Sequence, residues 1–203
     1  MRKQPRKLDV SELKQYALRL LAGRSLSTDE MRAKLTARAI EPAGIEAIIE
    51  YLREFKFLDD TRFAQHYTRL RLEGDGHGQA RVLRDLRQRK VAAPLAEKTV
   101  SAAFAGVDEV TMIEKFLARK FKNTDLTAYL REEKHLAAAY RKLRLAGFGG
   151  SNTIRVLRRY SARADEIDES VDPAARKFLI ATACSGFILT LYRSTSDCAM
   201  NKL

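Results

Sequence analysis

The feature that most constrains the fold is a five-residue spacing that recurs at the end of the second helix of each predicted repeat. A leucine is followed five residues later by another apolar residue at Leu35 and Ile40, at Leu86 and Val91, and at Leu143 and Phe148. Each pair comes at the end of a predicted helix and precedes a break and a further helix. Successive pairs lie 51 and 57 residues apart. Repeats of this length predict stacked helical units, so we expect an all-α chain of three tandem three-helix repeats in an elongated, curved array.

The junctions between repeats are marked by paired acids. Asp59 and Asp60 lie between an apolar run that ends at Leu58 and a new run that begins at Phe63. Carboxylates ahead of a helical pattern predict helix caps, so we expect both aspartates to cap the helix that follows. A similar junction occurs at residues 107–109. We therefore place the repeats at 11–58, 59–107 and 108–164, between a basic arm at 1–10 and a C-terminal extension of unknown role at 165–203.

Helix starts and core positions follow from the same reasoning. Ser11 is expected to cap the first helix, Ser27 and Glu30 are expected to form a capping box, and Pro42 is placed to start the third helix. Apolar side chains at helical spacing predict the core faces of the third and fourth helices. The residues expected to point inward there are Ile45, Ile48, Ile49, Leu52, Phe55, Phe63, Tyr67 and Leu70.

The charge balance indicates the class of partner. There are 38 Lys and Arg residues against 26 Asp and Glu, a formal net charge of +12. Such a surplus favours a polyanion or an acidic protein surface as partner, although a solvated basic surface without any partner is the alternative.

Nothing in the sequence predicts an enzyme, a metal site or a cofactor. His66, His77 and His135 are far apart, and residues 74–78 (GDGHG) lack the Lys and Ser/Thr of a phosphate-binding loop. The two cysteines, Cys184 and Cys198, lack metal-ligand spacing and suit a reducing cytoplasm. The N-terminus has no secretory signal, and the apolar run at 178–192 is too short to span a membrane, so we expect a cytoplasmic protein.

Four stretches together resemble the RecX family of RecA regulators. They are ALRLLAGRSLSTDEMRAKL (17–35), YLREFKFLDDTRFAQHYTRLR (51–71), GHGQARVLRDLRQRKV (76–91) and AAYRKLRLAGFGGSNTIRVLRR (138–159). The second, with its Asp-Asp-x-x-Phe-Ala core, is the most specific. The resemblance covers about three quarters of the chain. It implies three three-helix repeats, binding to the RecA–DNA filament, and inhibition of filament growth and of the recombinase.

Basic side chains on the outer helix faces are the candidate binding residues. No acidic residue occurs from position 134 to position 164, so the sequence predicts that the cations there lack local counter-charges. Arginine binds both phosphate and carboxylate, so these faces fit DNA or an acidic protein groove. The candidates are Arg69, Arg71, Arg81, Arg84, Arg87, Lys134, Arg141, Lys142, Arg144, Arg155, Arg158 and Arg159, with Arg163 in the same acid-free segment.

Two functions remain open from the sequence. The first is a monomeric, non-enzymatic regulator that binds the RecA filament, with contacts to the single-stranded DNA backbone possible, and so modulates recombination and DNA repair. The second is a stand-alone protein that binds nucleic acid without sequence choice. The two differ in whether the position of each cation matters or only its charge.

Overall fold

A computed structural model describes residues 6–166, and this part of the chain is all-α. It contains ten α-helices: α1 Val10–Gly23, α2 Thr28–Arg38, α3 Ile45–Glu54, α4 Asp60–Glu73, α5 Gln79–Gln88, α6 Ala93–Phe104, α7 Glu109–Lys120, α8 Leu126–Tyr129, α9 Glu133–Leu145 and α10 Gly150–Leu157. Short 3-10 helices lie at Pro42–Gly44 and Ala162–Glu166. None of the helices described is long and apolar enough to cross a membrane. The apolar run at 178–192 and both cysteines lie outside the described residues.

Three separate apolar clusters form the core. The buried members of the first lie within residues 13–58, those of the second within 64–100 and those of the third within 113–164. Each cluster is enclosed by consecutive helices, which is the packing expected of three-helix units. The third unit has an extra turn, α8, whose first backbone N–H groups donate to the carboxylate of Asp125. The boundaries between repeats stay a prediction.

The first helix begins earlier than the sequence indicated. Asp9, and not Ser11, caps α1: its carboxylate accepts a hydrogen bond from the Glu12 N–H (2.8 Å), and the Glu12 carboxylate accepts one from the Asp9 N–H (3.3 Å). Ser11 instead donates its hydroxyl hydrogen to Asp9 (3.0 Å). The Ser11 prediction was wrong because an acceptor two residues upstream closes a complete capping box.

The cap of α2 was predicted correctly, but the capping box was not. The hydroxyl oxygen of Ser27 accepts a hydrogen bond from the Glu30 N–H (3.1 Å). The Glu30 carboxylate turns to Arg24 (2.5 Å) and Arg89 (3.5 Å) instead of returning to the backbone of Ser27. Glu30 therefore links the first repeat to the second, because Arg89 follows α5.

The paired acids at the first junction have different roles. Asp59 caps α4 as predicted, accepting from the Arg62 N–H (2.9 Å). Asp60 does not cap α4; it accepts from the Thr28 N–H (2.7 Å) at the start of α2. One aspartate thus starts its own helix, and the other joins that helix to the neighbouring repeat.

The second junction repeats this division of roles. Asp108 caps α7 as predicted, accepting from the N–H groups of Val110 (3.1 Å) and Thr111 (3.2 Å). The next acid, Glu109, accepts from the Gly149 N–H (2.7 Å) at the start of α10 and from the Asn152 side chain (2.5 Å). In each pair, the second acid stabilises the start of a distant helix.

These contacts predict the cost of removing either acid at the first junction. Asp59→Ala and Asp60→Ala are each expected to destabilise the fold by about 1 kcal/mol, the usual loss for a helix cap. That loss lowers the melting temperature of a protein of this size by roughly 2–4 °C. Circular dichroism melting of each variant, and of the wild type with a chelator, measures it. A chelator effect on the wild type equal to the mutations would show that a metal, not capping, engages these carboxylates.

The recurring five-residue spacing has a structural cause at two of its three positions. The Val91 N–H donates to the Leu86 carbonyl (3.1 Å) and the Phe148 N–H donates to the Leu143 carbonyl (3.2 Å). In both, the residue just before the buried apolar one has a left-handed backbone, with φ of 58° at Lys90 and 93° at Gly147. This is the Schellman helix end, in which the residue after the turn packs back onto the helix. Accordingly, Val91 and Phe148 are buried.

The remaining pair, Leu35 and Ile40, does not form a Schellman turn. Ile40 is 62% exposed and Ala39 is buried in its place. The reason is the N-terminal arm: the Leu8 N–H donates to the Arg38 carbonyl (2.8 Å), and the Ile40 N–H donates to the Leu8 carbonyl (3.0 Å). This pairing holds the end of α2 extended. Leu8 itself packs against the first apolar cluster.

Two further apolar residues expected in the core are on the surface. Phe55 is 55% exposed because α3 has ended at Glu54 and the chain turns left-handed at Lys56, so the helical period does not continue. Leu70 is 54% exposed because α4 buries Ala64 and Thr68, and Leu70 lies about 140° around the helix from the middle of that face. The sequence predicted the period of α4 but not its rotation.

Candidate functional site

Ion pairs with side chains that the structure describes engage five of the twelve candidate cations. Arg71 pairs with Asp75, Arg81 with Asp85 (2.9 Å) and Arg87 with Glu97 (2.8 Å). In the acid-free segment, Lys134 pairs with Glu132 (2.9 Å) and Arg159 with Glu114. The prediction that these last two lack counter-charges was therefore wrong. Glu132 lies just before α9 and Glu114 lies in α7, so both partner acids fall outside the segment 134–164.

Two more candidates hold the fold together. The Arg84 guanidinium donates to the Leu145 carbonyl (3.1 Å), and the Arg144 guanidinium donates to the Phe148 carbonyl (2.7 Å). Arg84 thereby joins α5 to the end of α9. Leu145 ends α9, so its carbonyl has no partner within the helix, and Phe148 lies in the turn that follows.

Arg71 and Arg81 belong to a partly buried polar cluster between α4 and α5. Asp85 is only 6% exposed, and it lies 2.9 Å from Arg81 Nε and 3.8 Å from Arg71 Nε. The Tyr67 hydroxyl accepts hydrogen bonds from Arg71 (2.9 and 3.0 Å). The hydrogen bond from Arg71 holds the pKa of Asp75 below its ordinary value. Removing either arginine would leave a carboxylate without its main counter-charge, so these two residues serve stability first.

His77 lies beside this cluster. Burial lowers the pKa of His77, because the charged imidazolium loses solvation that the neutral imidazole does not need. Its Nδ1 atom is 3.6 Å from Asp75 and has no hydrogen-bond partner among the described residues. The geometry gives His77 no acid–base partner at reaction distance.

The remaining five candidates are exposed on the surface. Arg69 and Arg141 make no ion pair or side-chain hydrogen bond with any residue in the range 6–166. Lys142 lies over the Phe121 ring with its ammonium 4.9 Å from the ring centre. Arg155 is close enough to Asp108 to help lower the pKa of that carboxyl, after the larger effect of hydrogen bonds from Thr111. Arg158 is exposed at the C-terminal end of α10.

The structure thus divides the candidates into a structural set and an accessible set. Arg141 and Lys142 are adjacent on α9, followed at once by the fully buried Leu143. This anchoring fixes α9 and leaves both cations exposed. The accessible set is Arg69, Arg141, Lys142 and Arg155.

The second and third repeats meet through backbone. The Gly78 N–H donates to the Ala146 carbonyl (2.9 Å), and the Ala80 N–H donates to the Gly147 carbonyl (3.3 Å). Arg119 reinforces the contact by donating to the carbonyls of Gly74 (3.0 Å) and Asp75. This interface determines where the cations of α9 lie relative to those of α4.

A groove near the first junction was not predicted. It has a volume of about 650 Å³ and lies between the end of α1, the turn after α3 and the outer face of α4. Phe57, Lys56 and Arg62 line it together with Arg69. The signal in the sequence was the same five-residue spacing at Leu52 and Phe57, which marks another Schellman turn.

Comparison with known proteins identifies the repeats. Residues 14–52 match the family model described as RecX, first three-helix domain, and residues 59–100 match that of RecX, second three-helix domain. These matches fall on the first two of the three apolar clusters.

Several curated relatives are named "Regulatory protein RecX". The relative from Halorhodospira halophila is 34% identical over 153 residues, which is 75% of this chain and 88% of the relative. The relative from Vibrio parahaemolyticus is 29% identical over 145 residues, 71% of this chain and 89% of that protein. The relative from Treponema pallidum (strain Nichols) is 32% identical over 103 residues, and the match spans only 63% of its length and 51% of this chain.

Solved structures show the same fold. The crystal structure of RecX from Lactobacillus salivarius aligns with a TM-score of 0.55 at 18% identity, covering 74% of this chain and 96% of that one. A second crystal structure, described as regulatory protein RecX, aligns with a TM-score of 0.56 at 18% identity, covering 72% of both chains.

Proposed function

Since this chain belongs to the RecX family, we propose that it binds the RecA nucleoprotein filament and inhibits filament extension and the recombinase's ATPase activity. It acts as a monomer in the cytoplasm, without enzymatic activity of its own, and so modulates recombination and DNA repair. The mechanism is steric. The array of repeats bridges successive filament subunits, with basic helix faces against acidic protein surface and DNA backbone.

The observation that most supports this proposal is the pair Arg141 and Lys142. Both are exposed on a helix whose inner face is buried, and neither forms an ion pair with a described residue. Cations held on a rigid helix suit a partner with anionic groups at fixed positions, because little side-chain and no backbone ordering is needed on binding. A filament repeats its surface at regular intervals, so it offers such positions more than once.

Titration of preformed filaments tests the proposal. ATP turnover by RecA on single-stranded DNA is expected to fall as this protein is added. Filaments are also expected to retain it at a salt concentration at which bare single-stranded DNA does not, because binding through phosphates alone weakens steeply with salt. ATP turnover that stays constant at saturating protein would reject the proposal.

Binding of nucleic acid alone is the second candidate, and the unpaired Arg69 at the groove favours it. Under that alternative, binding to filaments and to bare strands would weaken with salt in parallel, since phosphates would be the shared ligand. The same titration at several salt concentrations distinguishes the two functions.

The C-terminal extension is not expected to contribute to inhibition. The described members of all three apolar clusters end at Ala164, which is fully buried. Deleting residues 165–203 should therefore leave the melting temperature of the repeats and the inhibition of ATP turnover close to those of the full chain. Thermal melting and the ATPase titration check this. A truncated protein that fails to fold would place the extension in the core.

A further inference from the structure

The groove at the first junction has an aromatic platform that the backbone holds in place. The Phe57 N–H donates to the Leu52 carbonyl at 2.8 Å, and the preceding Lys56 is left-handed, with φ of 59°. The turn is therefore a defined helix end and not an irregular loop. Phe57 is nevertheless 52% exposed, and it faces the groove. A fixed, half-exposed ring offers a flat surface for stacking at little entropic cost.

The groove around this ring is positively charged. Lys56, Arg62 and Arg69 line it, all exposed, and none has an ion pair or side-chain hydrogen bond within residues 6–166. Arg62 and Arg69 are seven residues apart on α4, which puts them two helical turns or about 10 Å apart along the helix. The acid among the lining residues, Asp59, is engaged by the Arg62 N–H as the cap of α4. The groove therefore has a surplus of unpaired cations.

We propose that this groove binds an unpaired nucleic-acid strand, with one base stacked on Phe57 and the flanking phosphates near Lys56, Arg62 and Arg69. Aromatic side chains between cations are the usual means of binding single strands, because every base has a face for stacking and every linkage has a charge. An acidic peptide fits less well. Carboxylate recognition favours guanidinium groups held in a fixed orientation, and no described side chain orients Arg62 or Arg69.

The proposal does not depend on the recombinase, so it is tested without it. Fluorescence anisotropy measures binding of the full chain to a labelled thymidine oligonucleotide, to a uridine strand of equal length, and to an abasic deoxyribose-phosphate strand. Phe57→Ala is expected to weaken binding to at least one of the base-bearing strands about fivefold or more, the lower range for loss of one stacked base, and to leave the abasic strand unaffected. Whichever of the two base-bearing strands binds more tightly identifies the ligand as DNA or as RNA.

Charge is tested separately. Arg62→Gln with Arg69→Gln should lower the slope of log K against log salt by about 1.4 on a single strand, since each lost phosphate contact contributes about 0.7. The matched control is Lys98→Gln with Arg131→Gln, two exposed cations outside the groove that have no side-chain partner among the described residues. That control should leave the slope unchanged.

Phe55→Ala is the matched control for the ring. Phe55 is 55% exposed and two residues away, but it does not line the groove. Thermal melting confirms that each variant is folded. Equal binding by Phe57→Ala and the wild type would overturn the proposal, as would an equal loss in Phe55→Ala. So would a Phe57→Ala variant that binds strands normally but no longer inhibits RecA, because the groove would then hold protein.

Discussion

Replacing Arg141 and Lys142 by Glu is expected to abolish inhibition of the recombinase's DNA-dependent ATPase. Both side chains are exposed on α9, and Arg141 has no partner in the described structure. Reversal would place two negative charges where the proposed partner surface is anionic, and like charges at an interface cost several kcal/mol. The measurement is ATP turnover by preformed filaments, titrated with the variant at moderate salt.

The control for this reversal changes charge by the same amount at another place. Lys98→Glu with Arg131→Glu alters two exposed cations on α6 and just after α8. This variant should inhibit nearly as well as the wild type, because a protein groove presents its carboxylates at fixed positions. An equal loss of inhibition in both variants would reject position-dependent binding and favour a generic electrostatic binder.

Gly147→Ala is expected to cause the largest loss of stability. Gly147 has φ of 93°, and a Cβ atom there would lie 2.3 Å from the backbone nitrogen of Arg81. Left-handed backbone costs a non-glycine residue about 1–2 kcal/mol, and forcing an atom into a packed contact adds about 1–3 kcal/mol. Together these lower the melting temperature by roughly 4–20 °C. Circular dichroism melting measures the change.

Two other glycines separate the backbone contribution to this loss of stability from the steric contribution. Gly106 has φ of 79° but open space around a Cβ atom, so Gly106→Ala should show the backbone term alone. Gly78 has negative φ, but its Cβ atom would lie 2.4 Å from the Gly147 carbonyl oxygen, so Gly78→Ala should show the steric term alone. A Gly78→Ala variant as stable as the wild type would show that the second and third repeats do not need this close backbone contact.

The same interface connects stability with the proposed inhibition. If Gly78→Ala remains folded but separates α5 from the end of α9, the cations of the second and third repeats would lose their relative positions. Inhibition of ATP turnover would then fall further than the loss of stability alone explains. This would indicate that binding depends on the arrangement of the repeats as well as on charge.

For the proposed binding surface, the sequence identified the candidate cations but not which of them form ion pairs in the fold. Residues 134–164 contain no acid, yet Arg159 pairs with Glu114 of α7 and Lys134 pairs with Glu132. Local sequence predicts charges within a helix turn or two, whereas an ion pair requires only that two side chains meet in space. Arg141 has no ion pair or side-chain hydrogen bond with a described residue, as the acid-free segment predicted.

Local physical rules were sufficient for the helices themselves. The periodicity of apolar residues and the caps at Asp59 and Asp108 predicted the all-α repeat architecture, because backbone hydrogen bonds and caps connect residues close in sequence. The five-residue spacing also has a local cause, the Schellman turn at Leu86 and Leu143.

Only the tertiary structure decided what each repeat does for its neighbours. Asp60 accepts a hydrogen bond from the start of α2, 32 residues away. Leu8 displaces Ile40 from the core, and Gly78 permits the close approach of Gly147. The groove at Phe57 likewise exists only because α4 packs beside the end of α1. These contacts depend on the distance and rotation between helices, which are determined by packing of side chains from separate repeats, and no periodicity within a single helix encodes them.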